Sequence, residues 1–179
     1  MLRREFLKTI LIGGAALGAT TGCVKSDTDV FSIENTVAEL LAFKKQALLF
    51  EGPWQAFATF THLAQSIEYS YLGFPEHKSD SFKSWLGKPA FTVFKAAGAM
   101  HHNTAEPIPG APALKNDIND SGNINQAIDR LVEALQRFKS ATKLFPHFAY
   151  GDLSHNDYLI AHLLHINDHL ALLTYNTGN

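Results

Sequence analysis

Residues 154–175 read SHNDYLIAHLLHINDHLALLTY, and the fold turns on them. Leu159, Ile160, Leu163, Leu164, Ile166, Leu170 and Leu172 lie nearly all round a helix of 3.6-residue period, the pattern of a helix packed among others. The same apolarity suits a homodimer face; burial in a core explains it equally well. Ser154 suits an N-cap, so the spacing predicts a helix from Ser154 to about Tyr175. Within it, His162, His165 and His169 share an arc of about 60° at about 100° per residue. Buried imidazoles need partners.

His165 and His169 have the spacing that lets two ring nitrogens converge on one ion. An isolated His-x3-His is more often structural or superficial, but the apolar helix around this one argues for ligands. A third ligand must come from elsewhere. His62, in the segment FATFTHLAQSIEYSY (57–71), is the candidate, because an unpaired imidazole would be costly to bury there. Imidazole donors favour zinc, nickel or iron over magnesium or calcium.

Around these metal candidates, Gln65 lies one turn from His62, where it either reaches a bound water or faces solvent. Tyr158 either brings a phenol to the site mouth or is a core aromatic with its hydroxyl satisfied. Gln65 and Tyr158 are the candidate catalytic residues. His162 either supports the ligands from behind or forms a pocket wall. Asp168 points about 100° away from His169, so it orients a neighbour or faces solvent rather than ligating. Glu68 lies off the His62 face and reads as an ion-pair or orienting group. His101 and His102, beside a Pro-rich segment, read as surface residues with a lesser chance of lining a lid.

Val37, Leu40, Leu41 and Leu48 give a helix from Ile33 to about Phe50. Gly52-Pro53 interrupts it, and a second helix runs from Pro53 to about Leu72, ending at Gly73. Residues 74–80 form a loop. Residues 81–100 hold a short helix, a break at Gly87-Lys88-Pro89, and a second helical piece with Phe91 and Phe94. The following stretch, Pro-rich over 103–112, is long enough to be functional or to cover the core as a lid. Ile128, Leu131, Leu135 and Phe138 give a helix over about 125–144, with Glu133 and Arg137 paired on its wet side. No strand-like alternation is visible. Four main helices joined by loops imply an all-α, antiparallel four-helix bundle.

The N-terminus carries LRREFLK (2–8), then the uncharged run TILIGGAALGATTG (9–22), then Cys23. Arg3-Arg4 followed by Phe6-Leu7-Lys8 resembles a twin-arginine export signal. A basic amphipathic first helix is disfavoured by the Gly/Ala run, and the run is too short to stay in a bilayer. Cys23, the one cysteine, follows Thr-Thr-Gly as in a bacterial lipobox, although Thr20 stands where an aliphatic residue is usual. Lipidation there would tether the protein to a periplasmic membrane face; cleavage by an ordinary signal peptidase would release it. Residues 1–23 are thus expected to be a signal, 24–33 a linker and 34–179 the folded domain. A net charge of −2 offers no basic field for nucleic acid.

The runs HLAQSIEYSYLGFP (62–75), FKAAGAMHHNTAEPIPGAP (94–112) and PHFAYGDLSHNDYLIAHLLHINDHL (146–170) resemble a branch of the DinB/YfiT-like four-helix-bundle superfamily. That branch is catalogued as domain of unknown function 1569. The resemblance spans the mature chain and implies a metal held by one histidine of the second helix and a His-x3-His pair of the last, here His62, His165 and His169. The superfamily usually continues with Arg-Gly-Gln. Leu170-Ala171-Leu172 stands there instead, so the resemblance carries the ligands and not a substrate site.

Three imidazoles leave a divalent ion with open coordination, the mark of a catalytic site. The expected activity is that of a metal-dependent hydrolase or transferase acting on a small molecule. Superfamily relatives include thiol-dependent transferases, but the cell envelope offers little small thiol, which favours hydrolysis. The rival is a non-catalytic envelope protein that binds a metal or a partner through the same triad. A third reading, a histidine pH switch, requires no metal.

Overall fold

A computed structural model describes residues 32–114 and 124–175; the expected signal, Cys23 and most of the linker lie outside them. The described chain is mostly helical, with one small two-stranded sheet. Helix α1 (Ile33–Phe43) starts where the Ser32 hydroxyl accepts from the Asn35 amide, and it buries Ile33, Leu40 and Phe43. Helix α2 (Ala56–Leu72) buries Phe60, Leu63, Ala64 and Ile67. It stops at Gly73, whose φ of 98° is open to glycine at little cost. Helix α5 (Ile124–Ser140) turns Ile128, Leu131, Leu135 and Phe138 inward. Helix α6 (His155–Leu170) begins at Ser154, whose hydroxyl accepts from the Asp157 amide. The longest seam runs between α2 and α5; α1 packs on α5, and α6 packs on α2.

Both terminal helices are shorter than the periodicity predicts. α1 ends at Phe43 rather than near Phe50, and α6 at Leu170 rather than near Tyr175. The residues beyond them form strands β1 (Leu48–Phe50) and β2 (Leu173–Tyr175), paired antiparallel with Leu49 opposite Thr174. Three-residue strands are too short to display alternation, and Leu48 happens to fall in the preceding helical period. Glu51 N–H extends the junction by donating to Leu172 C=O at 2.9 Å.

The expected break at Gly87-Lys88-Pro89 is also corrected. Helix α3 (Asp80–Phe82) passes through a π-helical turn (Lys83–Gly87) into α4 (Lys88–Ala97) without leaving helical backbone. Pro89 follows the π-helical turn directly, and the altered hydrogen-bond spacing there accommodates a residue that donates no amide proton. Gly87 is needed for a different reason: a Cβ there would sit 1.9 Å from the Ala149 carbonyl oxygen. After α4, the segment over 99–114 packs on the core through Met100 and Ile108, as a cover of the helices. None of the described helices is long and apolar enough to cross a membrane.

Candidate metal centre

α6 presents His165 and His169 from successive turns, their ring centroids 4.8 Å apart. α2 runs alongside and brings His62 to 5.1 Å from His165 and 5.0 Å from His169. The Nε2 atoms of His62 and His165 are 3.2 Å apart. A fourth ring joins from the segment after α4: His102 lies 4.8 Å from His165 and 5.0 Å from His169. One ring nitrogen from each of His62, His102, His165 and His169 falls within 4.8 Å of all the others, so the group could hold a metal ion.

Rings packed this closely and out of water disfavour protons on His62, His165 and His169. Burial, then the neighbouring histidines, holds His62 down at about 3 and His169 at about 2, and His165 well below its ordinary value. Neutral rings are the form a metal needs. His102 Nε2 and His169 Nε2 are buried with no hydrogen-bond partner among the described residues. A cation among the rings would give such nitrogens a common partner, which is the fit expected of a divalent transition metal.

The sequence did not single out His102 as a ligand; it read this residue as superficial, with a lesser chance of lining a lid, and the structure puts it in the wall of a cavity beside the cluster. Its position is fixed by Asp168, whose Oδ2 accepts from His102 Nδ1 at 2.7 Å and from the His102 amide at 3.3 Å. Asp168 Oδ1 also lies 3.3 Å from His101 Nδ1. With its proton held at Nδ1, His102 has its Nε2 lone pair free for a cation, the arrangement of a carboxylate behind a metal-binding histidine. The reading of Asp168 as an orienting group thus acquires a named neighbour, and that unassigned carboxylate was the one signal pointing to a further ring. Trp54, also unremarked in the sequence, stacks on His169 with centroids 6.0 Å apart and lies 4.8 Å from His62.

Tyr158 does not reach a site mouth: it is wholly buried and its hydroxyl donates to the Phe145 carbonyl at 2.6 Å. The cavity beside the cluster takes Ala161, His162 and His165 from α6 instead. Gln65 is buried one turn after His62, while α2 lends His62 and Ser66 to the cavity wall. His162 is such a wall residue, packed between Phe138 and Tyr158. Glu68 holds Arg130 through two hydrogen bonds of 2.8 and 2.6 Å and takes no part in the cluster.

A mostly helical protein with histidines converging from two helices and one loop belongs to the broad class of candidate helical metal-binding proteins. Its model matching residues 25–176, the family described as protein of unknown function (DUF1569) is the one to which this chain belongs. No curated protein and no solved structure matches it.

Proposed function

We propose that the protein is an exported metal-dependent hydrolase or transferase acting on a small molecule, built as an antiparallel four-helix bundle of the DinB/YfiT-like superfamily. In this reading α1, α2, α5 and α6 are the bundle helices. Residues 1–23 direct export by the twin-arginine route, with lipidation at Cys23 as the attachment to the periplasmic membrane face. His62, His165 and His169 are the ligands, and His102 closes the site or withdraws from it.

The observation that carries the reading is the position of the cluster in the wall of a cavity of about 360 Å3, to which His62, His102 and His165 all contribute. A structural ion needs no such space, whereas a catalytic one does. The ion, when bound, would supply Lewis-acid activation of a substrate group or water. The chain's part is to hold the rings neutral, to orient His102 through Asp168, and to give the substrate an apolar enclosure from Phe82, Phe94, Met100 and Phe148. Zinc-, nickel- and iron-loaded protein should show activity in an esterase, amidase and phosphoesterase screen that His165→Ala abolishes. Equal activity of the two proteins, or none in any assay, contradicts the catalytic reading.

The fourth ring favours one competing reading, a closed four-histidine site in a non-catalytic binding protein. Coordination separates the two: zinc-edge absorption spectroscopy should show four nitrogen donors and no oxygen in a closed structural site, and a water oxygen beside three nitrogens in a catalytic one.

A further inference from the structure

The cavity beside the cluster has polar features that the metal ligands do not use. His162 is buried in its wall, fixed by a perpendicular contact with Phe138 (4.9 Å) and a stacked one with Tyr158 (5.3 Å). Its Nε2 has no hydrogen-bond partner among the described residues. A buried imidazole nitrogen left unpaired is costly, and a bound polar group would relieve it. His147, also in the wall and buried, lies against the same tyrosine ring at 6.0 Å. Its Nδ1 accepts the amide protons of Ala149 (3.1 Å) and Tyr150 (3.2 Å). That fixes its tautomer: the ring proton is on Nε2, leaving a donor.

Lys78 and Glu106 are the charged residues among the rest of the wall. Phe82, Leu86, Phe94, Met100, Ile108 and Phe148 supply apolar surface. Lys78 and Glu106 stand at the solvent side, 3.5 Å from each other, with the lysine also over the Phe82 ring. Their charges offset one another, so neither an anionic nor a cationic ligand body finds an unmatched partner there.

We propose that this cavity binds a small uncharged molecule with an aromatic or branched apolar body and a carboxamide- or ester-type polar group, held by the Nε2–H donor of His147 and by Nε2 of His162. The proposal rests on the metal-centre reading in placing that polar group next to the cluster. The two binding histidines are not metal ligands, so the two claims fail separately.

The experiment titrates the full chain, metal-free and zinc-loaded, with benzamide, benzoate and benzylammonium. Affinities are followed by calorimetry and the histidine ring nitrogens by long-range 1H–15N NMR. To the metal-free protein, benzamide should bind about tenfold or more tightly than either charged probe, a difference of about 1.4 kcal/mol. It should also shift the ring resonances of His147 and His162. His162→Phe should weaken benzamide about tenfold while leaving zinc uptake unchanged. A charged probe binding metal-free protein as tightly as benzamide overturns the proposal. So does an absence of benzamide binding at millimolar concentration, or an unmoved His162 ring. Should the variant not fold, the wild-type ring shifts decide alone. Zinc failing to bind, with benzamide behaving as expected, sinks the metal centre and leaves the cavity's ligand class standing.

Discussion

Asp168 does at the residue scale what the sequence could describe only in outline. Its position one residue before His169 rules it off the ligand arc, and the structure gives its carboxylate the Nδ1–H of His102. Orienting carboxylates of this kind are worth about 10–100-fold in metal affinity. Where His102 closes the site, Asp168→Asn should therefore weaken zinc binding by about that factor with helical content unchanged, as read by chelator competition and circular dichroism; equal affinity would show that His102 withdraws from the ion. Tyr158 makes the complementary point. Its hydroxyl bond to the Phe145 carbonyl is buried, so Tyr158→Phe should cost about 1–2 kcal/mol of stability, seen as a lower melting temperature, without changing metal affinity. His165 and His169 were legible because helical period fixes which residues share a face, and His62 because an unpaired imidazole is costly in so apolar a segment and the family resemblance implies it. His102 was not: its place depends on a contact with a residue 66 positions away, and nothing local in the sequence encodes it.

At the scale of elements, the apolar period located α1, α2, α5 and α6, while their ends were less readable. Leu48-Leu49-Phe50 continues the apolar character of α1, and only the distant Leu173-Thr174-Tyr175 turns it into a strand. The Gly-Lys-Pro segment misled for a different reason. Pro89 forbids a regular helix interior, but a π-helical turn ahead of it lets the axis continue. That continuity depends on Gly87. Gly87→Ala would push a methyl group into the Ala149 carbonyl and should cost about 1–3 kcal/mol, observable by chemical denaturation. Because Gly87 and Ala149 both line the cavity, the same substitution should weaken ligand binding there more than zinc binding.

Across the whole molecule, the feature with the widest consequence is the number of buried, uncharged histidines. Burial holds His62 and His162 at about 3 in the folded protein, and pushes His147 and His165 well below their ordinary value. The unfolded chain protonates these rings near 6.5. Below that pH the unfolded state binds more protons, so stability is full above about 6.5 and falls as pH drops towards 3. Each such histidine contributes about 1.4 kcal/mol per pH unit. Metal-free protein should therefore unfold cooperatively in mildly acid solution, and saturating zinc should move the midpoint to lower pH. Thermal melts across pH 8 to 4 check both; a metal-free midpoint independent of pH would contradict the burial of neutral rings.

Rings from α2, α6 and the segment after α4 are proposed to meet around one cation. Anomalous diffraction at the zinc edge, on crystals of untagged protein soaked in zinc, tests it most directly. One strong peak is expected within coordination distance of His62, His165 and His169, with the His102 ring beside it. A peak elsewhere, or none while the four rings keep their positions, would contradict it.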